Sequence, residues 1–113
     1  MSVVFTMYAF VVSLGFFKTG YAMELLQLTK ANFDSVVNGS SFVFVLFHAP
    51  WDERSVKAVQ SLEQVMNKLS DENNRILLAT VNAYDEVKLA TRFWIDHWPV
   101  FKFFLKGSIT PET

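Results

Sequence analysis

The chain has 113 residues, enough for one small domain, and its 51% hydrophobic and 16% aromatic content, with twelve Phe, excludes a disordered polymer. A formal net charge of -1 and the absence of any basic run give no footing for nucleic acid. Cysteine is absent, which removes a disulfide framework, a thiolate zinc site and any thiol redox step within the chain.

Residues 1–22 read as a secretory signal peptide. Val3 to Phe17 is mostly apolar, broken only by Thr6, Ser13 and Gly15. It is short for a bilayer span and suits an h-region. Gly20-Tyr21-Ala22 offers small residues for cleavage, although no Lys or Arg precedes the apolar run and Lys18 follows it. An uncleaved signal anchor and a buried helix are the alternatives. On the signal-peptide reading the mature domain is 23–113, and cleavage leaves no stable membrane span. The domain then resides in the endoplasmic reticulum lumen or is secreted.

Leu25-Leu26-Gln27-Leu28 is a short strand candidate, and Thr29 is placed to cap a helix through Phe33, Val36 and Val37. Asn38-Gly39-Ser40-Ser41 is a turn by composition and an N-x-S glycosylation acceptor at Asn38, meaningful only in the secretory pathway. Phe42 to Phe47 is a continuous aromatic and β-branched run, the pattern of a strand buried on both faces. Ala49-Pro50 ends it. Val56, Val59, Leu62, Met66 and Leu69 then recur at helical spacing and predict one apolar stripe. Ser70 to Asn74 is a polar loop, and Arg75 to Asn82 reads as a buried strand. Tyr84 to Trp94, with Val87, Ala90 and Phe93/Trp94 as its apolar positions, predicts a helix. Trp98-Pro99-Val100 leads into a strand over Phe101 to Leu105, and Lys106-Gly107 turns it. Strands alternating with helices imply an α/β sandwich with crossover connections.

The run F-V-F-V-L-F-H-A-P-W, four further residues and then an amphipathic helix resembles the active-site segment of thioredoxin-fold domains of the protein disulfide isomerase family. The opening L-x-L-T-x-x-N-F-D at Leu26–Asp34 resembles the start of such domains, so the likeness covers about 24–113. It implies a thioredoxin-like α/β fold with a central mixed sheet flanked by helices. In the family a further strand and a helix follow the position of Ile109–Thr113. The expectation is a domain lacking that final strand and helix, with the Phe residues of its last strand uncovered.

Where the family has C-G-H-C, this chain has Asp52-Glu53-Arg54-Ser55. A carboxylate cannot form a mixed disulfide, and a serine hydroxyl does not replace a thiolate. The resemblance also implies a buried Glu on the central strand and a Lys after the second Cys; here these are Leu46 and Val56. Losing both members of a buried pair together is the economical change once catalysis is gone, since a lone buried carboxylate is costly. Asp52 or Glu53 is read as a helix cap, favoured at a helix N-terminus by roughly 0.3–1 kcal/mol, or else as a contact for a partner's basic residue.

His48 near Ser55 and Asp52 suggests a hydrolase triad, but there is no G-x-S-x-G elbow, and His48 is read as a core or surface residue. His48, His97, Asp52 and Asp96 carry no metal-ligand spacing, and neither a metal nor another cofactor is expected. Trp98-Pro99-Val100 matches the family segment whose X-Pro bond is cis and whose backbone pairs with extended substrate. The resemblance therefore implies a polypeptide-binding surface formed by Trp51, Trp98, Pro99 and Val100, with core-edge packing as the alternative for the two Trp. The expected partners are unfolded or client polypeptide and, in a longer parent, other thioredoxin-like domains. The function expected is noncatalytic polypeptide binding in protein folding. The alternative is a structural domain of a larger oxidoreductase whose C-x-x-C lies outside this chain.

Overall fold

A computed structural model describes residues 25–69 and 76–106. The expected signal peptide, the polar loop 70–74 and the segment 107–113 lie outside the described residues. Seven elements follow one another: β1 (Leu26–Leu28), α1 (Phe33–Asn38), β2 (Phe42–His48), α2 (Glu53–Leu69), β3 (Ile76–Asn82), α3 (Val87–Arg92) and β4 (Val100–Leu105). The strand order is β1-β3-β2-β4, with β1 and β2 parallel to β3 and β4 antiparallel to β2. This is the expected mixed sheet. Among the described residues no helix is long and apolar enough to cross a membrane.

Strand alternation divides β2 between two cores. Val43, Val45 and Phe47 are fully buried with Phe33 and Val37 of α1, Leu89 of α3 and Phe104 of β4. The opposite face carries Phe42, Phe44, Leu46 and His48. There Leu46 is fully buried under Leu62 and Met66 of α2, beside Leu78 of β3. Phe42, by contrast, is exposed and Phe44 only half-buried. The two-faced burial expected of β2 therefore holds for its second half only, because α2 covers Leu46 and Leu78 and leaves the β4 side open. Phe101, Phe103 and Leu105 on that side of β4 are 42%, 50% and 48% exposed. Phe42 stacks on Phe103 at 5.9 Å and Phe44 on Phe101 at 5.0 Å, a ladder of rings turned toward solvent.

Three local expectations shift. Thr29 does not cap α1. Its N–H donates to Asn32 Oδ1 at 2.7 Å and its Oγ1 accepts from Ala31 N–H at 3.2 Å. It therefore closes a turn, and the helix begins at Phe33. The helix expected over Tyr84–Trp94 is confined to Val87–Arg92. Asn82 Oδ1 accepts from the N–H groups of Tyr84 and Asp85, which holds those residues in a turn. At the far end Trp94 takes φ 61, its N–H donates to Thr91 O at 3.2 Å, and Ile95 N–H donates to Ala90 O at 2.8 Å. That pair of bonds is a Schellman stop with Trp where glycine is usual. Finally, Val56 is exposed: at about 100° per residue it lies roughly 120° around α2 from Leu62, off the face on which Ser55, Leu62 and Met66 are buried.

Candidate functional site

The parallel strands β2 and β3 end together, since His48 pairs with Asn82, and the turns beyond them form one surface. After His48 the chain turns through Ala49, Pro50 and Trp51 into α2. Asp52 N–H donates to Ala49 O at 3.0 Å, and Asp52 Oδ2 accepts from Ser55 N–H at 2.9 Å. The carboxylate is thus the cap of α2, satisfying a donor the helix leaves unpaired. Ser55 is fully buried, and its Oγ accepts from Ala49 N–H at 3.1 Å. Both residues standing where the family has cysteines are used to staple the turn to the helix. Glu53 and Arg54 between them are exposed.

His48 shares the α2 face of the sheet. Its Nδ1 is buried with no hydrogen-bond partner among the described residues, and burial holds its pKa below the ordinary histidine value. No hydrogen bond joins it to Ser55, whose hydroxyl is enclosed, so the two form no nucleophile–base pair. A cavity of about 460 Å³ lies beside His48 between α2 and the sheet, near Gln27, Glu63 and Thr80. His97 Nδ1 lies 2.7 Å from Asp96 Oδ1, and that contact holds the Asp96 carboxyl below its usual range. Among the described residues no group of three or more His, Asp or Glu gathers as a metal site. Leu46 is buried as expected of an apolar replacement, whereas Val56 is not, so the two do not form a buried apolar pair.

The aromatic residues converge. The Trp51 ring lies 5.7 Å from Trp98 at 90° and 5.8 Å from Tyr84 at 89°. Trp98 packs on the main core at its inner side, while Trp51 is 62% exposed and Tyr84 58% exposed. Trp98 thus has a core-facing side, whereas Trp51 stands outside the buried core. The Trp98–Pro99 bond is cis, and Val100 then begins β4 in register with Phe47. Trp51, Trp98, Pro99 and Val100 therefore stand along one continuous path. Asn38 lies elsewhere, at the end of α1 before β2 begins, and is half-buried.

Two members of this surface escape a reading of the sequence. Tyr84 falls inside the predicted helix, although the Asn-x-x-Asp spacing of Asn82 and Asp85 is a turn signal that argues against that placement. Arg54 bridges to the opposite loop: its Nη2 donates to the Trp98 carbonyl at 3.4 Å. No local pattern announces a contact across so much chain.

Comparison with known proteins agrees with this geometry. The thioredoxin family profile matches residues 24–113. Protein disulfide-isomerase A4 of Mus musculus is 40% identical over 82 residues, which is 73% of this chain and 13% of that protein. The Homo sapiens A4 protein is 42% identical over 82 residues with the same coverage. The solution structure of the first thioredoxin domain of mouse protein disulfide-isomerase A4 superposes with a TM-score of 0.65 at 28% identity, covering 72% of this chain and 58% of that one. The chain thus spans 13% of the length of these A4 relatives. It belongs to the thioredoxin family, as a domain of the protein disulfide isomerase type in which Asp52 and Ser55 stand in the places of the two cysteines.

Proposed function

We propose that this chain is a noncatalytic member of its family that binds unfolded or partner polypeptide and serves protein folding in the secretory pathway. The observation that carries the reading is Trp51. A large ring 62% exposed, perpendicular to the rings of Tyr84 and Trp98, supports a contact surface better than a packing role. The reactive positions support the same reading from the other side, because Asp52 and Ser55 are consumed by the cap and the turn. The compartment, endoplasmic reticulum lumen or outside the cell, rests on the family resemblance and on reading residues 1–22 as a signal peptide. On that reading Asn38 is a glycan acceptor.

Fluorescence anisotropy of a dye-labelled unfolded polypeptide titrated with the full chain tests this. Saturable binding that Trp51→Ala weakens about tenfold is the expected result. A folded chain that binds nothing, or a Trp51→Ala variant that binds equally well, overturns it. A second reading takes the chain as a structural domain of a longer thioredoxin-domain oxidoreductase that carries its C-x-x-C elsewhere; the much greater length of the A4 relatives supports it. A longer transcript encoding a C-x-x-C domain in the same frame favours that reading, and its absence from independent transcripts counts against it.

A further inference from the structure

Arg54 is the second residue of α2, and its side chain is 77% exposed. It nevertheless folds back across the aromatic surface, with Nη2 3.4 Å from the Trp98 carbonyl and Nε 3.9 Å from Asp52 Oδ2. Both contacts are long beside the roughly 2.7–2.9 Å of a firm charge-assisted hydrogen bond. Among the described residues the carboxylate found beside it is Asp52, which already accepts from Ser55 N–H. Arg54 is therefore a loosely held cation. It rests on the Trp98 carbonyl, the acceptor just before Pro99 on the path to β4, the outermost strand on that side among the described residues.

We propose that Arg54 is the specificity residue of the polypeptide site and selects extended segments that carry an acidic side chain. The inference rests on the polypeptide-binding reading above. An extended segment that adds alongside residues 97–99 needs a backbone acceptor for its own N–H, and Arg54 holds the Trp98 carbonyl. The two donors compete for one oxygen. A segment with a Glu or Asp at the crossing point takes the carbonyl and offers the displaced guanidinium a carboxylate, which it can grip with two parallel bonds. A neutral segment displaces Arg54 without that return. A basic one meets a like charge in the same place.

Three labelled peptides of one length, extended and aromatic, differing only in a central Glu, Gln or Lys, test the proposal against the full chain. The wild-type chain is expected to bind the Glu peptide about tenfold more tightly than the Gln peptide, and the Lys peptide most weakly. The gap should shrink as salt rises. Arg54→Gln should bring the three together and bind the Gln peptide at least as tightly as wild type does, because the carbonyl is then free. Arg54→Glu should reverse the order in favour of Lys. Binding of all three peptides that ignores residue 54 overturns the selector while leaving polypeptide binding standing. No binding of any peptide by either the wild type or Arg54→Gln overturns both. The exposure of the Arg54 side chain makes unfolding of these variants a poor explanation for either outcome.

Discussion

At the scale of single residues, Asp52 and Ser55 show how a redox turn is kept in shape without thiols. A helix N-terminus stabilises a thiolate and a carboxylate through the same unpaired N–H groups, so Asp52 inherits the favourable field and adds a hydrogen bond to Ser55 N–H. Asp52→Ala should cost about 1 kcal/mol in urea denaturation, with Asp52→Asn costing less because it keeps an acceptor. His48 gives a pH signature. Burial lowers its folded pKa, so as pH falls below about 6.5 the unfolded chain takes up a proton before the folded chain does. Stability on this account is unaffected above that pH and declines below it. Urea midpoints at pH 7.5 and 5.5 should differ less in His48→Gln than in wild type; an identical difference removes His48 from the explanation.

At the scale of elements, α3 is held by its ends. Arg92 in its last turn bonds Asp34 of α1 at 2.8 Å and lies 4.9 Å from the centre of the Phe93 ring, joining the two helices that cover one face of the sheet. Its stop places Trp94 in the left-handed region, where a side chain costs roughly 1–2 kcal/mol relative to glycine's free choice. Trp94 is 88% exposed, so its ring gains little packing to offset that strain. Trp94→Gly should raise stability by about 1 kcal/mol in thermal or urea unfolding. A loss instead would mean that the Trp94 ring contributes to the fold beyond the contacts described.

At the scale of the whole molecule, the two faces of the sheet are treated differently. One is closed by α1 and α3 over a core of Phe33, Val45, Phe47 and Phe104. The other is closed by α2 over Leu46 and Leu78, and leaves Phe42, Phe101, Phe103 and Leu105 exposed. Contiguous aromatic surface of this kind favours association in water. The chain in isolation should bind a naphthalene sulfonate dye and self-associate with concentration. Phe103→Lys should lower both dye emission and sedimentation-average mass, and unchanged values would show that this face is covered in solution.

The order of elements was legible from the chain because each strand is a local apolar run and α2 is a local stripe at Leu62, Met66 and Leu69. The lost chemistry was legible too, since the absence of cysteine is a matter of composition and needs no coordinates. What remained hidden depends on which parts of the chain meet. That Val56 faces water follows from which side of α2, the one carrying Ser55, Leu62 and Met66, is turned to the sheet, and that Phe42 is uncovered follows from how far α2 reaches toward β4. The Trp51–Tyr84–Trp98 cluster and the Arg54 contact with Trp98 arise because β2 and β3 run parallel and end together while β4, antiparallel to β2, begins opposite Phe47, bringing three distant turns side by side. The amino-acid order determined the elements and removed the thiols, through short-range periodicity and composition. Only the tertiary structure decided which side chains share the surface, because crossover connections set those neighbours.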